Sequence, residues 1–314
     1  DLSNFGVCGP VTVNVAGVLI TYSDQLYLSE IDGASSVNTV TINGNGNTLD
    51  YTSTNSASRG TVILDGADWV TIDSLNIVAS GSGTSQYGVG VQMTNRADHN
   101  TIHNCTVTVD AVTSSANYAG ITISGSLSSP TQQGASGNYN TIEGTDIIGG
   151  YYGVTSMGLN TDSANSNAVV NCTIEDFYFY GMYFWYNDHP VIEGNEISRL
   201  NRTTVSSFYG MYVYYSTSAH VIGNKVHDPF ATNKTATSTL YPAYFYFPSG
   251  TVSDPVLITN NLFYNLESDG TLYGLYVSQG SDVKILNNTL ILDDPSNTST
   301  NSPLTRLLYI ASAI

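Results

Sequence analysis

Aromatic residues recur at nearly constant spacing in the second half of the chain and are the strongest candidates for a binding site. At intervals of 29, 32 and 32 residues they are Tyr183 and Trp185, Tyr212 and Tyr214, Tyr244 and Tyr246, and Tyr276. A row of flat rings with polar tips suits the C–H faces of sugars or the surface of a partner protein. The alternative is that the rings stack on one another and only stabilise strand pairing.

Basic residues are scarce, so the few that lie near the aromatic residues in sequence are the candidates for catalysis. The chain has 8 Lys and Arg residues against 25 Asp and Glu residues. An Arg or Lys side chain can neutralise a carboxylate on a sugar when it is protonated, and a second one can abstract the adjacent proton when it is deprotonated, as a polysaccharide lyase requires. The candidates for that role are Arg199, Arg202, Lys225 and Lys234. For Lys225 the plainer interpretation is a surface ion pair with Glu196 on the neighbouring repeat, which would contribute little stability.

The acidic residues and histidines do not converge on a metal site. Glu143 and Glu193 share an outward-facing position, but they lie two repeats apart with Val170 between them and cannot hold one ion. Asp293 and Asp294 lie in a segment rich in Ser, Asn and Thr, where aspartate is typical of turns. No cofactor is therefore expected, and Ca²⁺ bound by these two aspartates is the alternative. The five histidines share no column and are expected at surface or turn positions.

Two short patterns alternate along the chain and define a repeating unit of about 30 residues. The first is an aromatic residue, a small residue and apolar alternation, as in Tyr87-Gly88-Val89, Tyr152-Gly153-Val154, Tyr180-Gly181-Met182, Tyr209-Gly210-Met211 and Tyr273-Gly274-Leu275. The second pattern has six consecutive positions. They hold, in order, an apolar residue, any residue, Asn or Gly, a small residue or Asn, any residue, and an apolar residue. Short alternating strands with no helical periodicity between them predict the coil of a parallel β-solenoid. Parallel connections favour a right-handed winding.

Alternation along the aromatic strand predicts which side chains face the core. By this parity Tyr180, Met182 and Phe184 point inward, and Tyr209, Met211 and Val213 repeat the pattern one coil later. The intervening residues, which include Tyr183 and Trp185, then point outward. The seven aromatic residues should therefore form two outward-facing columns along the solenoid.

The second pattern resembles the short repeat of right-handed parallel β-helices in the pectate-lyase-like superfamily, over roughly residues 60 to 300. In that superfamily stacked asparagines line one turn. The matching column here runs Leu75, Cys105, Thr145, Cys172, Asn195, Asn224, Asn261, Asn288. The resemblance implies an asparagine ladder over the last four of these residues. It also implies relatives with many functions, among them polysaccharide lyases, but the clustered aspartates and Gly-His-Gly segment of the polygalacturonases are absent from the sequence.

The repeats predict a single parallel β-helix domain over residues 1–314, with about ten coils. Residues 1–60 are less regular and are expected to form irregular opening coils. The apolar segment 304–314 shows no polar cap, which predicts that the helix continues or that this end docks on a partner. Cys105 and Cys172 share a column with one coil between them, so strand spacing places them roughly 9 to 10 Å apart, too far for a disulfide.

Composition narrows the function to binding or processing outside the cell. A net charge of −17 excludes nucleic acid as a partner, and no apolar run is long enough for membrane insertion. We expect a secreted or cell-surface, adhesin-like module that binds a polysaccharide or a neighbouring surface protein without catalysis. The alternatives are a lyase or glycoside hydrolase acting on an acidic polysaccharide, and a structural filament or spike component with end-to-end or lateral self-association.

Overall fold

Three parallel sheets of ten strands each form the molecule, and every coil contributes one strand to each sheet. The structure is a computed structural model that describes residues 2–17, 19–83, 85–292 and 304–311. Paired strands are one coil apart in sequence, so that Ile102 lies beside Ile72 on one side and Ile142 on the other. The chain is thus a parallel β-solenoid of ten coils, which confirms the predicted class and the predicted number of coils.

The strands have the following bounds. The first sheet contains Val11–Asn14, Val40–Asn43, Val70–Asp73, Thr101–His103, Thr141–Glu143, Ala168–Val170, Val191–Glu193, His220–Ile222, Val256–Thr259 and Val283–Leu286. The second contains Thr21–Tyr22, Thr48–Tyr51, Asn76–Ala79, Thr106–Val109, Asp146–Ile148, Thr173–Glu175, Glu196–Ser198, Lys225–His227, Leu262–Tyr264 and Thr289–Leu290. The third contains Leu26–Ser29, Gly60–Asp65, Gly88–Thr94, Tyr118–Ile123, Tyr152–Met157, Tyr180–Trp185, Phe208–Tyr214, Leu240–Tyr246, Leu272–Ser278 and Thr305–Ala311. A short helix, Leu2–Phe5, precedes the first coil, and Ala164–Asn165 pairs with Asn187–Asp188 in a separate two-stranded sheet.

The core is a continuous column of apolar side chains inside the coil. Ile72, Ile102 and Ile142 are fully buried one above another, while the threonines that precede them lie at the partly exposed outer face. Burial of apolar surface stabilises by about 25 cal/mol per Å². Because each coil repeats the same position, a β-branched side chain packs on another of the same shape, and the alternating pattern fixes the register.

An asparagine ladder crosses the turn between the first and second sheets, as predicted. The side-chain amide of Asn195 donates to Oδ1 of Asn224 at 2.9 Å, and Asn224 donates in the same way to Asn261 at 2.9 Å. Asn261 donates to Asn288, also at 2.9 Å. Each Oδ1 also accepts the backbone N–H of the preceding asparagine, so the ladder satisfies buried backbone groups that the turn leaves without strand partners.

A second asparagine ladder, which the sequence analysis missed, lies in the turn between the third and first sheets. The backbone N–H of Asn100 donates to Oδ1 of Asn140 at 2.9 Å, and that of Asn140 donates to Oδ1 of Asn167 at 2.9 Å. All three side chains are buried. The signal was present, because each asparagine comes immediately before a strand of the first sheet, but it spans only three coils.

The two aligned cysteines are buried and free, which agrees with the sequence prediction. Cys105 and Cys172 donate weakly from Sγ to carbonyl oxygens of the core, at 3.6 Å and 3.5 Å to Ile72 and Ile142. Burial raises the pKa of each thiol to about 11, so both remain protonated and unreactive at neutral pH. Cys8 is free and exposed.

The two ends of the described chain both contribute strands to the sheets. In residues 1–60 the first three strands join one sheet each, and the short helix over Leu2–Phe5 was not predicted. At the other end Thr305–Ala311 pairs with Leu272–Ser278 and leaves Leu308 and Ile310 exposed. The expectation that the helix continues here, or that this end docks on a partner, stays a prediction. In the described ranges, no helix has the length and apolar character that a bilayer span needs.

Candidate binding surface

The outer face of the third sheet carries four parallel columns of aromatic rings, which together we call the aromatic surface. The first column is Tyr180, Tyr209, Tyr241 and Tyr273, and the second is Tyr183, Tyr212, Tyr244, Tyr276 and Tyr309. The third is Trp185, Tyr214 and Tyr246, and the fourth is Tyr186, Tyr215 and Phe247. All these side chains are partly exposed. The second and third columns contain the seven residues that the sequence predicted to lie side by side.

The first column corrects the predicted parity of the strand. Tyr180 and Tyr209 were assigned to the core, but the ring of Tyr180 packs on the outer face against Tyr183 at 4.8 Å between centroids. The cause is a break in alternation, because Gly181 and Met182 both face inward. A Cβ on Gly181 would lie 2.6 Å from the carbonyl oxygen of Gly210, so glycine at this position avoids a clash with the next coil.

Rings in the second column stack on one another along the solenoid axis. The distances between successive ring centroids, from Tyr183 to Tyr309, are 5.1, 4.8, 4.4 and 4.6 Å. The rings of Tyr244 and Tyr276 are inclined by only 4° to each other. Offset stacking of this kind contributes about 0.5–1.5 kcal/mol per pair beyond burial. The faces of Tyr244, Tyr276 and Tyr309 therefore contact one another, and their ring edges and hydroxyl groups face outward, whereas the rings of Tyr183 and Tyr212 are tilted by 47° to each other.

Neighbouring columns pack in two ways: rings of the second and third columns are nearly parallel, as in Tyr212 and Tyr214 at 16°, whereas other pairs meet edge to face. The ring of Tyr241 makes an angle of 90° with Tyr244, and that of Tyr246 makes an angle of 89° with Phe247. The alternative in which the rings stack on one another thus describes part of the structure, and ligand binding by the same rings stays a prediction. The rings stabilise the stacking of the coils, and they also leave a broad, partly exposed aromatic face, which monomeric proteins seldom carry without a use.

The fourth column and Tyr309 extend this surface beyond the sequence prediction. Tyr186, Tyr215 and Phe247 adopt left-handed backbone conformations, with φ of 50°, 47° and 52°. They end the strands of the third sheet, so the period of two does not apply to them. Their signal was the run of two adjacent aromatic residues at the end of each strand. Tyr309 was missed because the sequence of its strand lacks the aromatic-small-apolar pattern.

The phenol groups of the aromatic surface are held in their neutral form. Burial, followed by the effect of neighbouring tyrosines, raises the pKa of Tyr183, Tyr212 and Tyr244 well above the ordinary value. The hydroxyl groups therefore remain hydrogen-bond donors at neutral pH. At one end of the surface, the guanidinium of Arg306 lies 5.8 Å from the ring centroid of Tyr273 and 4.8 Å from that of Tyr309.

Arg199, the first of the predicted catalytic residues, is fully buried. Its guanidinium donates to the carbonyl oxygens of Pro229, Tyr178 and Ser206 at 2.7, 2.8 and 3.1 Å. It also packs against two phenylalanine rings, 4.9 and 4.8 Å from their centroids. Burial lowers its pKa to about 9, which reflects the cost of a charge in this environment. The contacts hold three loop segments together.

Arg202 is also buried and serves a similar set of carbonyl groups. It donates to Asp176 and Thr204 at 2.8 Å each and to Thr113 from a distant loop. Burial lowers its pKa to about 10. In this arrangement the two guanidinium groups stabilise loops and do not face the solvent, so their geometry lends no support to a lyase role.

The two candidate lysines are exposed and lie in separate ion pairs. Lys225 pairs with Glu196 at 3.5 Å, as the plainer interpretation predicted. Lys234 pairs with Glu267 at 2.5 Å. The four candidate catalytic residues are therefore not brought together at one point of the surface.

One histidine differs from its predicted position. His227 was expected at the surface or in a turn, but it is buried on the outer side of the second sheet. Its ring nitrogens lie 2.7 Å from Asp228 and 3.1 Å from Glu196, and its ring stacks on Tyr264 at 4.6 Å. Carboxylates on both sides offset the burial of the ring, which sequence periodicity does not show.

No metal centre is present among the residues that the structure describes. Val170 lies between Glu143 and Glu193 in the first sheet, as predicted. A group of three or more potential ligands from His, Cys, Asp and Glu was not found in the described ranges. Asp293 and Asp294, the predicted alternative calcium ligands, lie outside these residues.

Comparison with known proteins identifies the family. The family model for a right-handed β-helix region matches residues 38–241. The chain belongs to the right-handed β-helix family. Among curated proteins, none matches the sequence.

Several solved structures share this β-helix fold at low sequence identity. The surface adhesin PfbA of Streptococcus pneumoniae superposes with a TM-score of 0.53 and 12% identity, over 91% of this chain and 74% of that one. The lacto-N-biosidase of Eubacterium ramulus, of family GH136, superposes with a TM-score of 0.53 and 9% identity, over 95% of this chain and 61% of that one. Pectate lyase Pel9A is similar at a TM-score of 0.45 and 14% identity, over 94% and 71%. Similarity at this level shows the fold alone.

Proposed function

We propose that this β-helix is a non-catalytic, adhesin-like binding module whose aromatic surface contacts a glycan. The observation that carries the proposal is the continuous, partly exposed aromatic face on the third sheet. Its columns combine apolar ring edges with hydroxyl donors, a combination typical of binding surfaces and uncommon on the free surface of a monomer. We propose that a module with this role acts outside the cell or at its surface; the similar fold of PfbA, a surface adhesin, supports this proposal.

The placement of the basic residues supports binding over a lyase reaction. Proton abstraction from a uronate sugar needs a cationic group beside the substrate. The two candidate arginines are buried under loops, and the two candidate lysines are paired with glutamates. The broad aromatic face needs no such groups in order to hold a ligand.

A glycan array tests the proposal directly. We expect the protein to retain one or more glycans, and we expect the double variant Trp185→Ala, Tyr214→Ala to lose that retention because it removes adjacent rings from the third column. Tyr139→Ala is the matched control, since Tyr139 is an exposed tyrosine in the turn between the third and first sheets. The control should bind as the parent does, and melting curves should show that all proteins are folded.

Three further assays on the same proteins could contradict the proposal: product analysis of the glycans, capture of a protein partner, and electron microscopy. Release of unsaturated or reducing ends from the glycans would show an enzyme. Capture of a purified surface protein through the same rings, with no glycan bound, would replace the glycan by a protein partner. Lateral or end-to-end assembly in electron micrographs that the double variant abolishes would indicate a structural filament.

A further inference from the structure

We infer that the ligand of the aromatic surface is an uncharged, extended polysaccharide strand that lies parallel to the solenoid axis, with one sugar unit over each coil. The inference rests on the proposed function and adds to it the chemical class and the orientation of the ligand. Three features carry it: the spacing of the rings, the parts of the rings that face outward, and the scarcity of charge.

The rings repeat at a distance that a polysaccharide can match. Along the second column the ring centroids are 4.4 to 5.1 Å apart, and the first column repeats at 4.9 and 5.0 Å between Tyr209, Tyr241 and Tyr273. An extended 1,4-linked pyranose chain advances by one sugar ring over nearly the same distance. An extended polypeptide rises by about 3.3 Å per residue and would lose register with the rings after one coil. A periodic ladder therefore fits a glycan strand along the axis better than it fits a peptide strand.

The outward parts of the rings suit oxygen-rich ligands. Since the faces of Tyr244 and Tyr276 are in contact with each other, a sugar cannot stack on them in the middle of the column. Ring edges carry partial positive charge, and phenol hydroxyls donate hydrogen bonds. In the described part of the chain, no hydroxyl oxygen of this surface is both buried and without a partner, so these groups are bonded within the surface or reach solvent. Ring oxygens and hydroxyls of a sugar chain are acceptors for both kinds of group.

Charge on and around the surface disfavours an ionic polymer. None of the four columns contains Asp, Glu or Lys. Among the described residues, one guanidinium lies over rings of these columns. It belongs to Arg306, at one end of the aromatic surface. The net charge of −17 repels polyanions over the whole molecule. An uncharged glycan meets none of these penalties, and the absence of Asp and Glu from the four columns gives a polycation no carboxylate to pair with there.

Titration calorimetry with oligosaccharides of increasing length tests the inference. The probes are β-1,4-linked gluco-, manno- and xylo-oligosaccharides of about two to six sugars. In at least one series we expect the affinity to rise with each added sugar and to level off near five, because the second column has five rings from Tyr183 to Tyr309. Tyr309→Phe keeps the stacked ring but removes one terminal hydroxyl. It should lower the affinity for the five-sugar ligand to near that of the four-sugar ligand in the parent protein.

The same loss is expected for Tyr183→Phe at the opposite end, because a strand along the axis contacts both ends. Equal affinity for the shortest and longest members of a series would overturn the inference, and so would a loss confined to one end. In affinity electrophoresis, hydroxyethylcellulose should retard the protein, while carboxymethylcellulose should not; the reverse result would also overturn it. These outcomes would leave glycan binding itself intact. Absence of binding to every glycan would overturn the proposed function as well.

Discussion

Replacement of Asn224 by alanine should be among the most destabilising single changes outside the apolar core. Asn224 is fully buried in the middle of the asparagine ladder. Its Oδ1 accepts the backbone N–H of Asn195 at 3.0 Å, and its Nδ2 donates to the carbonyl oxygen of Ile192 at 2.8 Å. Alanine can do neither, and its own backbone N–H can still donate to Asn261.

The size of the effect follows from the groups that lose their partners. The N–H of Asn195 would be buried and unsatisfied, at about 1–3 kcal/mol. The C=O of Ile192 would lose one of two donors, because the strand register also pairs it with the N–H of Ile222. We therefore expect Asn224→Ala to reduce the free energy of unfolding by about 2–4 kcal/mol. The reduction acts on contacts with both neighbouring coils, because solenoid stability is close to a sum of nearest-neighbour terms.

Urea denaturation followed by circular dichroism measures this change. Asn288→Ala is the matched control, since Asn288 makes equivalent hydrogen bonds to Asn261 and Ile258 but is only partly buried. Water can replace the lost side chain there, so its effect should be clearly smaller. The reasoning is refuted if Asn224→Ala lies within about 1 kcal/mol of the parent protein, or if the two variants are equally destabilised.

Three further changes test other parts of the structure. Arg199→Met should lower the free energy of unfolding by about 3 kcal/mol in urea titrations, because the buried carbonyl of Pro229 and the partly buried carbonyls of Tyr178 and Ser206 lose their donor, and should leave glycan retention unchanged. Gly181→Ala should destabilise by about 1–3 kcal/mol in the same assay, since the new Cβ would meet the carbonyl oxygen of Gly210. Burial raises the pKa of Asp68 in the folded protein. The protonated carboxyl therefore stabilises the fold at low pH, and this stabilisation is lost as the pH rises through the raised pKa. Asp68→Asn, which keeps the acceptor for the N–H of Asp98, should therefore raise the melting temperature by roughly a degree or two at pH 7, and by less at pH 3.

Two of these changes have a control variant in the same chain, and the third has an outcome that would contradict it. Gly9→Ala introduces a methyl group into open space and should be nearly neutral, in contrast to Gly181→Ala. Asp68→Ala removes the acceptor and should destabilise at both pH values. A loss of glycan retention by folded Arg199→Met would show that Arg199 has a role in the site and would contradict the loop-stabilising interpretation.

The sequence by itself determined the architecture and much of the candidate surface. Strands with a period of two, repeated about every 30 residues, favour a solenoid in which equivalent residues of successive coils lie side by side. That rule placed Asn195 beside Asn224, and Tyr183 beside Tyr212. Such contacts depend only on register, and register is fixed by the alternation that buries one side of every strand.

The tertiary structure alone decided which polar groups are buried and where alternation fails. Arg199 and His227 resemble surface residues in sequence, but loops supply carbonyl partners to Arg199, and Glu196 and Tyr264 of the neighbouring coils contact the ring of His227. Tyr180 faces outward because Gly181 and Met182 both turn inward, a local change that depends on the close approach of the next coil. Burial and close approach arise from packing between distant segments, so a pattern read along one strand does not contain them.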